Sequence, residues 1–156
     1  MATNSLWLKE GISVLFNYEA QKGLTIQVFH CPGINIPFSE ASSVRESIEA
    51  GTGKAEIFIP THRIERLRID TGSEPAKFEF SNLQIVGRKR VDLYLNQFNT
   101  KNIQNYSVRN GKGCVISTHY DPYLVYQELI SIERIHTCTK DFVNNRNINA
   151  IFEETP

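Results

Sequence analysis

The chain has 156 residues, 40% of them hydrophobic and 22% charged, which is the composition of a folded globular protein rather than of a disordered chain. The 17 Lys and Arg residues balance 17 Asp and Glu residues, so a partner held mainly by charge, such as duplex nucleic acid or an anionic membrane surface, is not expected. The length predicts one domain, and no apolar run approaches the roughly 18 residues of a membrane span.

Alternating apolar residues predict two strands near the start of the chain, over Gly11–Tyr18 and Leu24–His30. The face of the second strand opposite its apolar residues carries Thr25, Gln27 and Phe29. The link Glu19–Gly23 is short, polar and ends in glycine, which predicts that the two strands form a β-hairpin. Pro32 ends the second strand, because proline donates no hydrogen bond to a sheet.

Short alternating segments separated by turn residues continue through the middle of the chain, over Val44–Glu49, Lys54–Ile59, Arg63–Asp70 and Lys77–Val86. Gly51-Thr52-Gly53 is predicted to be a hairpin turn between the first two of these. The alternation slips by one residue at Glu65–Arg66, which predicts a β-bulge there or a turn entering a strand that starts at Arg66. A second change of phase lies at Ser81–Asn82.

The pattern changes between Val91 and Asn110, where asparagine recurs at every third position. Asparagine competes for local backbone hydrogen bonds, so one or two short helical turns within a long connection are predicted here. Strands follow over Cys114–His119 and Tyr123–Ile132. We therefore predict an all-β fold, an antiparallel two-layer sandwich of the jelly-roll kind with one or two short helical turns. Its predicted divisions are an N-terminal extension (1–10), the sandwich (11–132) and a C-terminal appendage or linker (133–156).

The chain contains three cysteines, Cys31, Cys114 and Cys138, at wide spacings. An odd number does not suit a disulfide framework, and together with the lack of a secretory signal it predicts reduced thiols in the cytoplasm. A zinc site could be drawn from these residues and His136, but structural zinc favours closely paired cysteines, which are absent. No D-x-D-x-D run suggests calcium either. The sequence therefore predicts neither a metal nor a cofactor.

Several segments, in their order along the chain, resemble an accessory β-sandwich domain of bacterial cell-surface polysaccharide glycosyltransferases and of related multi-spanning membrane proteins. They span about residues 10–130 and are Ile26-Gln27-Val28-Phe29, Pro37-Phe38-Ser39-Glu40, Ser43-Val44-Arg45, Phe58-Ile59-Pro60, Leu67-Arg68-Ile69-Asp70, Phe80-Ser81-Asn82-Leu83-Gln84-Ile85, Asn110-Gly111 and Asp121-Pro122-Tyr123-Leu124. The resemblance implies a non-catalytic, carbohydrate-binding-like module. Its implied partners are a saccharide and a glycosyltransferase or membrane domain in the same or another chain. The resemblance supplies no defined set of binding residues.

Sugar-binding sandwiches place aromatic rings against sugar C–H faces and polar side chains near the hydroxyl groups. The candidate ligand-binding residues lie in the long connection and around the last strand: Tyr94, Phe98, Tyr106, His119, Tyr120, Asp121, Tyr123 and Tyr126, with Asn99 and Asn102 as further polar partners. The alternative for each ring is a place in the hydrophobic core. Arg68 and Asp70 share one strand face and are interpreted as a structural ion pair or turn cap, although they could also grip a sugar.

Three functions remain open at the level of the sequence. The first is a non-catalytic saccharide-binding module that serves surface-polysaccharide glycosyltransferases. The second is a structural module that makes protein contacts without a saccharide. The third is a small jelly-roll enzyme that acts on sugars and would need two carboxylates facing one concave sheet, although no catalytic motif is present.

Overall fold

The structure is a computed structural model that describes residues 10–72, 75–103, 105–117 and 121–134. Within these ranges the chain forms thirteen strands: β1 (Ile12–Ala20), β2 (Leu24–Cys31), β3 (Ser43–Ile48), β4 (Gly51–Ile59), β5 (Arg63–Ile64), β6 (Arg66–Asp70), β7 (Ala76–Val86), β8 (Arg90–Asp92), β9 (Phe98–Lys101), β10 (Asn105–Arg109), β11 (Lys112–Ser117), β12 (Tyr123–Tyr126) and β13 (Ile132–Glu133). The helical structure of the same ranges is one 3₁₀ turn, Glu40–Ser42.

The strands form two large antiparallel sheets that pack against each other. One sheet has the order β10-β11-β7-β1-β4, with β8 also paired to β7, and the other has the order β3-β2-β6-β12-β9. A short pair, β13 with β5, joins them as a third element. This is the antiparallel all-β sandwich predicted from the sequence.

The hydrophobic core lies between the two large sheets, because each sheet turns its alternate apolar residues inward. On β1 the core positions Ile12 and Val14 are fully buried, and on β2 the same is true of Ile26 and Val28. An aromatic cluster joins the sheets near their centre, with the Phe80 ring of β7 at 6.3 Å from the Phe98 ring of β9. The period-two pattern of the sequence therefore has the burial that it predicts.

The predicted β1–β2 hairpin is wrong. β1 pairs with β4 and β7, whereas β2 pairs with β3 and β6 in the opposite sheet, so the short link after Ala20 carries the chain from one layer to the other. Alternation shows which face of a strand is buried, but it does not show whether the next strand lies beside it in the same sheet or opposite it across the core. A link as short as the one after Ala20 is compatible with both arrangements.

The predicted hairpin turn at Gly51-Thr52-Gly53 is also wrong, because β4 begins at Gly51 and lies in the sheet opposite to that of β3. The helical turns predicted between Val91 and Asn110 are replaced by β8, β9 and β10. Asn102, one of the asparagines that recur at every third position, has a left-handed backbone with φ of 57°, and Asn110 at the end of the segment has φ of 52°. Asparagine tolerates this conformation, which places it at the ends of strands and in tight turns.

At the first slip the second alternative is observed, because Glu65 separates β5 from β6 and β6 begins at Arg66. At the phase change of Ser81–Asn82 the register between β1 and β7 shifts beside Asn82, whose φ is 53°. The predicted last strand is divided, since β12 ends at Tyr126 and β13 begins at Ile132. At the margins of the predicted sandwich Arg134 forms an ion pair with Glu10 at 2.9 Å. The remainder of the predicted extension and appendage lies outside the described residues.

Candidate functional site

The outer face of the five-stranded sheet carries a row of polar side chains that crosses all five strands. Residues paired directly across antiparallel strands share a face, so the register places them side by side. From β3 to β9 the row consists of Arg45, Gln27, Asp70, Tyr123 and Lys101. The apolar side chains of the inner face pack in the core. The polar side chains of the outer face are therefore the ones of this sheet that a ligand could reach.

Arg68, on β6, is the centre of the neighbouring row. Its guanidinium carbon lies 4.5 Å from the centre of the Phe29 ring and 3.7 Å from the centre of the Tyr123 ring, so both rings stack against the cation. Its Nε donates to one carboxylate oxygen of Asp70 at 2.8 Å, and its terminal nitrogen donates to the other at 3.0 Å. This two-bond geometry holds both side chains in place.

A second set of hydrogen-bonded polar side chains connects the 3₁₀ turn to the sheet. The side-chain amide of Gln27 donates to the Glu40 carboxylate at 3.1 Å and to the Ser43 hydroxyl at 2.9 Å. The same carboxylate oxygen of Glu40 accepts from Arg45 at 3.1 Å. Gln27 is only 8% exposed, so its hydrogen bonds anchor the 3₁₀ turn to the sheet.

These two groups border one open depression of about 650 Å³ on the outer face. Its lining consists of Thr25, Gln27, Phe29, Glu40, Arg45, Arg68, Asp70, Gly72 and Asp121. Two guanidinium groups, three carboxylates and one amide meet there, on strands β2, β3 and β6, on the 3₁₀ turn and on the loop before β12. The depression, referred to below as the outer-face groove, is the candidate functional site.

Burial raises the pKa of the Asp70 carboxyl above its ordinary value of 3.8, and the negative charges of Asp121 and Glu40 raise it further. The hydrogen bonds and positive charge of Arg68 act in the opposite direction but do not cancel the effect of burial. The groove therefore contains a carboxyl group that is less acidic than usual even though an arginine pairs with it.

This shift predicts a pH dependence that Asp70→Asn removes. Between pH 3.8 and the raised pKa the folded protein binds more protons than the unfolded chain, so the stability of the wild type falls as pH increases through this window. Urea unfolding of both proteins over this range should show the wild type losing stability relative to the variant as pH increases. If the wild type instead gained stability relative to the variant as pH increases, Arg68 would lower the pKa of Asp70 more than burial raises it.

The groove contains some of the residues singled out in the sequence. Asp121 lines it, with a φ of 56° and its carbonyl oxygen accepting from the Asn102 side chain at 3.2 Å. Tyr123 borders it through its stacking on Arg68. Arg68 and Asp70, interpreted as structural, form an ion pair within one strand and at the same time face the groove.

The other candidate rings lie elsewhere. Phe98 and Tyr126 are buried against each other in the core at 5.0 Å, and Tyr126 accepts a hydrogen bond from the backbone of Tyr94 at 2.9 Å. Tyr106 stacks on Phe80 and donates its hydroxyl to the Leu95 carbonyl, and burial raises its pKa. Tyr94 is 63% exposed but does not line the groove, and Asn99 accepts from Gln127. His119 and Tyr120 lie outside the described residues.

Comparisons of the chain with models of protein families, with curated proteins and with solved structures found no match.

The described residues contain no group of three or more His, Cys, Asp or Glu side chains placed to hold a metal ion. Cys31 is buried on β2 and Cys114 is partly buried on β11 in the other sheet, and burial raises the pKa of each thiol. The other two residues of the zinc site considered above, His136 and Cys138, lie outside the described ranges. Among the residues that the structure describes, no helix is long and apolar enough to cross a membrane.

Sequence reasoning missed Gln27, Phe29, Glu40 and Arg45 as site residues. A signal for the first two was present, because Gln27 and Phe29 lie on the face of β2 opposite its apolar residues. Glu40 and Arg45 gave no such signal, since both are exposed and polar like many surface residues. Their place in the groove depends on the path of the chain after Pro32, which folds the 3₁₀ turn back against β2.

Proposed function

We propose that this protein is a non-catalytic saccharide-binding module and that the outer-face groove is its binding surface. We further propose that it serves bacterial machinery containing a surface-polysaccharide glycosyltransferase, as the resemblance described above implies.

The observation that carries this proposal is the convergence of the resembling segments at the groove. Seven of the nine lining residues belong to those segments, although the segments are spread over almost a hundred positions of the chain. They are Gln27, Phe29, Glu40, Arg45, Arg68, Asp70 and Asp121. If the resembling segments only stabilised the fold, their side chains would be expected mainly in the core. Instead, these segments also place polar side chains on one outer surface.

The chemistry of the groove suits sugar hydroxyl groups, each of which donates one hydrogen bond and accepts others. Carboxylates accept, guanidinium groups donate, and the Gln27 amide can do both. The Arg68–Asp70 and Gln27–Glu40–Arg45 contacts already hold these groups in place, so little side-chain freedom remains to be lost on binding. Arg68 covers one face of both Phe29 and Tyr123, so the proposed recognition depends more on hydrogen bonds than on ring stacking.

A saccharide array followed by calorimetric titration tests this function. We expect binding in the wild type and a loss of about tenfold or more in the double variant Glu40→Gln/Arg45→Met, because hydrogen bonds to charged groups are worth about 1.5–3 kcal/mol. Both side chains are exposed, at 69% and 61%, so the folded domain should keep its stability.

The matched control is Lys77→Met/Glu79→Gln, which removes a partly exposed ion pair from the other sheet and should leave binding unchanged. Absence of binding to every saccharide would overturn the proposed function and favour the protein-contact role. Binding that survives Glu40→Gln/Arg45→Met at wild-type affinity would show that the groove is not the binding surface.

Hydrolysis is the second candidate function, because three carboxylates line one depression and the pKa of Asp70 is raised, as a general acid requires. Against this role, Arg68 holds both oxygens of the Asp70 carboxylate. We therefore expect no new reducing ends when the protein is incubated with the oligosaccharides that it binds. Release of reducing ends that Asp70→Asn abolishes would establish the enzyme instead.

A further inference from the structure

The lining of the outer-face groove contains more negatively charged than positively charged side chains. It carries three carboxylates, Glu40, Asp70 and Asp121, and two guanidinium groups, Arg45 and Arg68. Each guanidinium is already paired, Arg45 with Glu40 at 3.1 Å and Arg68 with Asp70 at 2.8 Å. Across the described ranges no cation lies within ion-pair distance of Asp121, which leaves its carboxylate as the uncompensated charge.

The pairing also limits how an anionic ligand could be held. Arg68 uses Nε and one terminal nitrogen on Asp70, and the Phe29 and Tyr123 rings stack against its plane. An incoming carboxylate would have to compete with Asp70 or Glu40 for its arginine while lying near Asp121. Lys101, on β9, is exposed and does not line the groove.

The electrostatic effect of these carboxylates reaches across the groove. The charges of Asp121 and Glu40 both act on Asp70 and raise its pKa, so each of them lies close enough to act on the centre of the groove. A negative charge brought by a ligand into the same space would meet the same repulsion.

On the basis of the proposed function, we infer that the groove selects saccharides by charge: it prefers cationic amino sugars to neutral sugars and disfavours sugars that carry carboxylates. Asp121 sets this order, because among the described residues it is the one carboxylate of the lining that no arginine pairs with. The ligand class is therefore a neutral or amino-sugar polymer rather than a uronic acid polymer.

The test uses two pairs of oligosaccharides, titrated into the full chain, whose members differ in charge and in one small substituent, a methyl or an acetyl group. The first pair is oligogalacturonate and its methyl ester, and the second is N-acetylglucosamine oligomers and their deacetylated form at a pH that protonates the amines. Within each pair the less negative ligand should bind about three- to tenfold more tightly at low salt. Added salt should reduce the difference.

Asp121→Asn is the informative variant, because asparagine tolerates the left-handed backbone of this position and removes only the charge. It should reduce the preference within each pair. Asp92→Asn, on β8 in the other sheet, should leave that preference unchanged. If none of the four ligands binds, the proposed function fails and this inference fails with it. If the free acid binds as tightly as its ester, or if Asp121→Asn changes nothing, the charge selection is wrong while saccharide binding stands.

Discussion

Replacement of Phe80 by alanine is expected to lower the free energy of unfolding by about 3–5 kcal/mol, as deletion of a fully packed aromatic side chain does. Phe80 is 4% exposed and its ring contacts those of Phe78 at 5.8 Å and Tyr106 at 6.3 Å within its own sheet. Through Phe98 it also contacts the opposite sheet. The substitution would therefore open a cavity at the junction of the two layers.

Urea unfolding measures this loss, and Tyr94→Ala is the matched control. The Tyr94 side chain is 63% exposed, so removing it should change the free energy of unfolding by no more than about 0.5 kcal/mol. A Phe80→Ala loss as small as that of the control would contradict the packing of the sandwich around this aromatic cluster.

The second large effect is expected from Arg68→Met, which keeps an apolar side chain between the two rings but leaves Asp70 without its cation. Removing one partner of a fully buried ion pair costs about 3–5 kcal/mol. The Arg68 and Asp70 side chains retain 24% and 15% exposure, so a loss of about 2–3 kcal/mol is expected at neutral pH. The loss should become smaller as the solution is acidified, because protonated Asp70 needs no cation.

The matched control is Arg45→Met, which breaks the exposed pair with Glu40 and should cost about 0.5 kcal/mol or less. The double variant Arg68→Met/Asp70→Leu should recover much of the stability lost in Arg68→Met, since it no longer buries a lone carboxylate. It should nevertheless lose saccharide binding, because both polar groups of the groove centre are gone. Equal losses in Arg68→Met and Arg45→Met would show that solvent screens the two pairs alike.

The turn residues show where sequence patterns are reliable. Asn110 and Gly111 both have positive φ and form the two-residue loop between β10 and β11, which asparagine followed by glycine favours strongly. This signal was present in the sequence, although helical turns were predicted up to Asn110. The phase change at Ser81–Asn82 appears as a break in register between β1 and β7, and the slip at Glu65 as the boundary between β5 and β6. In these places the conformation depends on a few adjacent residues, so local sequence is sufficient to predict it.

The candidate site was less predictable. Asp121, Tyr123, Arg68 and Asp70 were all identified as polar or aromatic residues of interest, and the register of β6 with β12 brings them together. Buried tyrosines could not be separated from ligand-facing ones, because Tyr126 and Tyr123 differ by three residues and lie on opposite faces of the same strand. Which rings are exposed depends on which strand covers them.

The order of residues alone predicted a sandwich of short antiparallel strands, because hydrophobic side chains at every second position need a second layer to bury them and the sequence has no sustained helical period to supply that layer from helices. The layer to which each strand belongs was decided by tertiary pairing, as β1 and β2 show by lying in opposite sheets despite their short link. The groove depends on the same pairing: Gln27, Asp70 and Tyr123 are far apart in sequence and adjacent only through hydrogen bonds between strands. Alternation is a local property of the chain, whereas the choice of neighbouring strand depends on how the whole core closes.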